Sequence, residues 1–172
     1  EELEANRCSF GDEIRAHPVM DEYHKERSAV WDKITVPFLS AGNWGGQGLH
    51  LRGNIEGFIR AESDQKWLEM HGLEHWTEFY TDYGVKLQKR FFDHFLKGID
   101  NDWQDQPKIQ LQVRHIGGVK ERHGNEWPLE NTRWTKTHLN NQFEMTDESG
   151  HSESSSITFD AMGNGIDFKS KP

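Results

Sequence analysis

Cysteine is almost missing from this chain: Cys8 stands alone. An intrachain disulfide framework and a cysteine-rich zinc module are both excluded, and the scarcity favours a reducing, cytoplasmic setting. Long apolar runs are missing too. No stretch approaches the ~20 residues a membrane span requires, and residues 1–15 are charged throughout, unlike a signal peptide. Nor is there a basic excess. Twenty Lys and Arg against twenty-nine Asp and Glu leave a net charge of −9, so a surface built to neutralise phosphates is excluded. Hydrophobic residues reach only 33% of the chain, and the bulk comes from seven Trp and ten Phe. A core this thin implies that further polypeptide covers some of these aromatic faces.

What is present is organised in four segments. Residues 1–32 are polar, with a short helix expected around Asp21–Arg27. Ile34–Gly42 carries an apolar run bounded by Pro37 and glycines, and reads as a buried strand. Gly45, Gly46 and Gly48 turn it into a helix with Leu51, Ile55, Phe58 and Ile59 at helical spacing. A second strand is expected near Lys66–Met70. After it, Tyr80, Tyr83, Leu87, Phe91 and Phe95 form one stripe of a helix running roughly from Phe79 to Lys97. Thr77 or Thr81 can cap its start, and Gly98 sits where a C-cap glycine belongs. The order strand, helix, strand, helix over residues 34–98 implies a parallel sheet with helices on its faces. Two strands cannot make such a sheet alone, so others are expected from polypeptide outside this sequence.

Beyond Trp103 the pattern changes. Ile109, Leu111 and Val113 alternate with Gln110, Gln112 and Arg114, the period of a half-buried strand. Further strands are expected at Trp134–Leu139, Ile157–Asp160 and Ile166–Phe168, and Thr146–Ser156 reads as a solvated loop. Short strands with polar turns suggest the opening of an all-β sandwich.

The densest chemical motif is His71-Gly72-Leu73-Glu74-His75. It matches the His-x-x-Glu-His zinc pattern, in which two histidines share one helix face and the glutamate is the base. Gly72 costs roughly 1 kcal/mol inside a helix, and the segment directly follows a strand-like run, so no metal is assigned. The competing reading uses His75 alone. In an α/β hydrolase the triad runs Ser, acid, His, with the histidine in the loop between the last core strand and the last helix. His75 occupies that slot, where it would serve as general base and then general acid. A surface-loop histidine is the plain alternative. The glycines of Gly42-Asn43-Trp44-Gly45-Gly46-Gln47-Gly48 match neither the dinucleotide fingerprint nor a phosphate loop. No cofactor is assigned there.

At this point the sequence resembles a known family, that of the cocaine esterases and X-Pro dipeptidyl-peptidases, with α-amino-acid ester hydrolases and related acylases. The likeness is carried by Ile34-Thr35-Val36-Pro37-Phe38-Leu39, Gly42-Asn43-Trp44-Gly45-Gly46, Lys66-Trp67-Leu68, His75 and Phe91-Phe92-Asp93-His94-Phe95-Leu96-Lys97-Gly98. It continues through Pro107, Val113-Arg114, Glu126-Trp127-Pro128-Leu129 and Ile157-Thr158-Phe159-Asp160 with Gly165 and Phe168. The resemblance implies an α/β fold: the C-terminal part of an α/β-hydrolase core followed by the start of a β-sandwich (jelly-roll) domain. Residues 1–32 would end a helical cap, 33–104 would close the core, and 105–172 would open the jelly-roll.

It also implies a serine esterase or peptidase using an acyl-serine intermediate, with His75 as the triad histidine. Its partners would be a small-molecule ester or peptide substrate and the N-terminal part of the same protein; a homo-oligomer stays open. Two departures stand out. No Gly-x-Ser-x-Gly occurs here, so the chain alone is expected to be inactive. The position that holds the family's triad aspartate is Gly46, and neither Glu56 nor Glu74 is assigned in its place. A non-catalytic binding or assembly module is therefore the alternative, with the zinc hydrolase behind it.

Overall fold

The structure, a computed structural model, describes residues 2–46, 48–147, 154 and 156–171. They fall into two compact units, Glu1–Glu130 and Asn131–Pro172.

The first unit opens with three short helices, α1 (Glu2–Ala5), α2 (Phe10–Ala16) and α3 (Glu22–Glu26). The last of these is the helix expected near Asp21, whose carboxylate accepts from the His24 amide at 3.4 Å as an N-cap. Strand β1 (Phe38–Asn43), helix α4 (Leu51–Arg60) and strand β2 (Lys66–His71) follow. Next come helices α5 (His75–Tyr80) and α6 (Asp82–Lys97), then strands β3 (Ile109–His115) and β4 (Gly118–Gly124). The four strands form one sheet in the order β1-β2-β3-β4. β1, β2 and β3 run parallel, and β4 folds back antiparallel on β3.

Strand alternation divides the core between the two faces of this sheet. Leu68 and Met70 of β2 pack with Ile109, Leu111 and Phe58 of α4 on one face. Trp67, from the opposite face of the same strand, joins Leu87 and Phe91 of α6 and Trp103. Trp67 and Trp103 are completely buried, with their rings 5.3 Å apart edge to face. Two aromatics of this size supply much of what a chain poor in aliphatics needs.

One expectation needs revising here. The single helix expected over Phe79–Lys97 is two helices, because Thr81 takes an extended conformation and its hydroxyl accepts from the Gly84 amide at 3.0 Å, starting α6 afresh. Gly84 allows the close approach: a Cβ there would lie 2.0 Å from the Glu78 carbonyl oxygen. Gly98 ends α6 in the left-handed conformation at φ 66°, as its C-cap position requires. β3 joins the same sheet. Its alternation suits any half-buried strand, and its partner is β2: Leu68, Glu69 and Met70 pair with Ile109, Gln110 and Leu111. The sheet thus runs past residue 104, within the unit that ends at Glu130.

The second unit holds β5 (His138–Leu139), β6 (Glu144–Thr146) and β7 (Lys169–Ser170) in one sheet, β5 antiparallel and β7 parallel to β6. Of the strand expected at Trp134–Leu139 only the last two residues pair. Ile157–Asp160 and Ile166–Phe168 join no ladder, and the final strand lies one residue beyond the latter. Of the loop expected over Thr146–Ser156, Thr146 ends β6, while residues 148–153 and 155 lie outside the described residues.

Candidate active site

The site is assembled where β1 and β2 end together. Asn43, the last residue of β1, is in register with His71, the last of β2, and the Trp44 amide donates to the His71 carbonyl at 3.1 Å. The chain leaves β2 through Gly72, Leu73 and Glu74 and begins α5 at His75. β3 fixes both exits. The Gln112 carbonyl accepts from Trp44 Nε1 at 2.7 Å, while its side-chain oxygen accepts from the Gly72 amide at 3.1 Å. Its side-chain nitrogen donates to Glu78 at 3.2 Å, and Arg114 donates to the Gly72 carbonyl at 2.7 Å.

His75 is half-buried at the head of α5, and its Nδ1 accepts from the Asn43 side-chain amide at 2.9 Å. Asn43 is only 6% exposed, so this bond is shielded from competing water. The slot at Gly46 also faces the imidazole: a Cβ there would stand 3.7 Å from His75 Cε1 and 3.2 Å from the Asn43 Oδ1. Glycine offers no carboxylate, and Asn43 takes up the ring nitrogen in its place. Glu56 is engaged by Arg60 at 2.7 Å, and Glu74 accepts from the Thr77 hydroxyl at 2.9 Å. That hydroxyl holds the Glu74 carboxyl below its usual range.

The helical geometry demanded by the zinc pattern is not formed. His71 belongs to a strand and His75 to the helix after it, with the rings perpendicular and 6.4 Å apart. Among the described residues no three His, Cys, Asp or Glu side chains converge as a metal cluster would. His71 is instead bonded through Nδ1 to Glu69 Oε2 at 2.8 Å, inside the protein, with side-chain exposures of 5% and 2%. Tyr83 donates to the other Glu69 oxygen at 3.4 Å. Burial pushes the Glu69 carboxyl above the usual carboxylate range, against the pull of His71. Burial, and then the Glu69 charge, push the Tyr83 hydroxyl well up from its ordinary value.

These groups line one cleft of about 390 Å³. Its walls are apolar, with Phe38, Leu39, Leu87 and Phe91 among them, and its polar groups include Glu69, His71, His75 and Glu78. An apolar cleft with a few convergent polar groups is the usual form of a small-molecule site. Asn43, Glu69 and Glu78 had no role in the sequence reading. The signal for Asn43 was its place at the exit of the first strand, one residue before Trp44. Glu69 and Glu78 sit in apolar stretches, where a buried carboxylate marks a built polar contact.

No family model matches the sequence, and no curated protein matches it. Solved structures do. Two crystal structures of a CocE/NonD family hydrolase from Staphylococcus aureus match 82% of this chain at 33% identity, with TM-scores of 0.75 and 0.76. The chain belongs to the CocE/NonD hydrolase family. It spans 26% of the length of those structures, so the CocE/NonD chain here corresponds to about a quarter of its structural relatives. Among the described residues of this CocE/NonD segment, no helix is long and apolar enough to cross a membrane.

Proposed function

We propose that this chain supplies the histidine of a serine hydrolase that cleaves an ester or amide through an acyl-serine intermediate. The observation that carries the reading is the Asn43–His75 bond, which fixes an imidazole at the end of the sheet beside an apolar cleft. The kinship with CocE/NonD hydrolases supports it. The nucleophilic serine would come from polypeptide outside these 172 residues, since no Gly-x-Ser-x-Gly occurs among them. His75 would take the serine proton during attack and return it to the leaving group.

Asn43 can serve that cycle once its amide turns. A carboxylate only accepts hydrogen bonds, whereas an amide carries an acceptor at one end and a donor at the other. With its nitrogen toward Nδ1, as in this structure, His75 rests as a neutral ring with its proton on Nε2. Turned by half, the amide oxygen accepts from Nδ1–H, so that Nε2 is free to take the serine proton and, as the imidazolium, to return it. The amide brings no negative charge to stabilise an imidazolium, so turnover is expected to be slow beside an aspartate-based triad.

A second reading follows from the same feature. With Gly46 in the acid slot, the protein would be a non-catalytic relative that binds through this fold. The test is to express the full reading frame and expose it to a serine-directed fluorophosphonate probe. Labelling that disappears in His75→Ala supports the hydrolase. Labelling at an undiminished rate in that variant removes His75 from the mechanism, and the absence of any labelling favours the binding module.

A further inference from the structure

His75 stands between two cavities. One is the apolar cleft of about 390 Å³ described above, and the other, of about 580 Å³, is lined by Ser40, Leu49, His50 and Asn54 among others. Ala41 and His75 line both, so the end of β1 and this imidazole form the partition. A hydrolase that works through an acyl-serine needs such a division. The acyl group stays on the enzyme while the leaving group departs, and the general acid has to reach the leaving atom. The two arms of the substrate therefore extend to either side of the imidazole. The apolar cleft suits the acyl arm, which assigns the second cavity to the leaving group.

One side chain in that second cavity has no structural task. The Gly46 carbonyl accepts from the amides of Leu49, His50 and Leu51 at 3.1, 2.9 and 3.1 Å, winding the chain tightly ahead of α4. This turn sets the His50 ring 5.2 Å from that of His75, edge on at 66°. His50 is the N-cap residue of α4, yet its side chain makes no capping bond. It is exposed, and among the described residues its ring makes no hydrogen bond. Ser40 and Asn54 differ. The Ser40 hydroxyl donates to the Asn54 carbonyl at 3.0 Å, and the Asn54 side chain donates to the Ala41 carbonyl at 3.0 Å, so both tie α4 to β1.

We propose that His50 is a specificity-determining residue that hydrogen-bonds the leaving group, which selects a leaving alcohol or amine carrying a hydroxyl or amide of its own. This deepens the serine-hydrolase reading and rests on it. A neutral imidazole offers one donor and one acceptor in either tautomer, and a hydroxyl or an amide can answer either one. The bond acts in acylation alone, since the leaving group has departed before the acyl-enzyme is hydrolysed.

The test compares two esters of one acid, 2-hydroxyethyl butyrate and its near-isostere propyl butyrate, with the full-length protein. Both give the same butyryl-enzyme, so a difference between them arises in acylation. Wild type should favour the hydroxyethyl ester in kcat/KM, and His50→Leu should lower that preference by about fivefold. His50→Gln keeps a donor and an acceptor and should retain most of it. A labelled, active wild type without the preference overturns the assignment. So does a preference unchanged in His50→Leu, or an equal loss on both esters, and either result leaves the hydrolase reading standing. A wild type that takes no fluorophosphonate label and hydrolyses neither ester overturns the hydrolase reading and this inference with it.

Discussion

Asn43 spans the gap between two sheet exits to hold His75 by its Nδ1 at 2.9 Å, the position at which a triad carboxylate would act. The histidine is oriented by an amide whose strand ends level with the one that precedes it. Its chemistry then depends on which end of that amide faces the ring.

Replacing His75 by alanine should abolish function without unfolding the protein, since the side chain is half-buried and lies at a helix start. Turnover of an activated ester by the full-length protein should fall by about 10⁴-fold or more. A loss smaller than about tenfold would place the base elsewhere.

Restoring a carboxylate should help. Gly46→Asp directs a side chain at His75, with only the Asn43 oxygen, 3.2 Å from the new Cβ, having to give by a few tenths of an ångström. Turnover should rise by about tenfold or more, because a charged partner stabilises the imidazolium that an amide does not. Asn43→Ala should be damaging in the wild type and nearly silent once Gly46→Asp is present, a non-additivity that a double-mutant cycle measures directly.

At the α5–α6 junction, Gly84→Ala should be severely destabilising. The new methyl would meet the Glu78 carbonyl oxygen at 2.0 Å, a backbone atom that cannot move without dragging α5. A loss of about 3 kcal/mol or more is expected, read from urea unfolding midpoints at constant m.

The pH dependence of stability should carry the mark of Glu69. Its carboxyl is raised by burial, so between the usual carboxylate range and the raised value the folded state binds more protons than the unfolded state. Stability therefore falls as pH rises through that window. Asp93, lowered by Lys89 and Lys97, acts with the opposite sign: its contribution is present above the usual range and is lost as pH falls. Subtracting the Glu69→Gln profile from the wild type isolates the first effect, and a flat difference would contradict it.

Much of the core was readable because single stripes of large side chains fixed it. Leu51, Ile55 and Phe58 specified α4, and Tyr83, Leu87, Phe91 and Phe95 specified α6, each by spacing alone. The break at Thr81 was less visible, because residues on either side continue the helical period and only Gly84 against the Glu78 carbonyl forces the restart. β4 left almost no apolar signal. Its residues are exposed but for a half-buried Gly124, and it pairs through backbone with β3. The half-buried alternation in β3 does not name its neighbour, and its parallel pairing with β2 was not legible from spacing. The position of His75, between the end of one strand and a helix, was legible. Asn43 and the Glu69–His71 couple were not, because their meaning lies in which side chains a register of parallel strands brings side by side.

Gln112 stands behind the cleft and lines none of it, yet its carbonyl and both ends of its amide reach Trp44, Gly72 and Glu78. Three anchors from one residue make this strand a jig on which the strand exits beside the two imidazoles are set. Exchanging that amide for a shorter side chain would loosen the Gly72 and Glu78 tethers together. Variation at position 112 would thus retune the reaction centre from the rear, with no change to any surface a ligand meets.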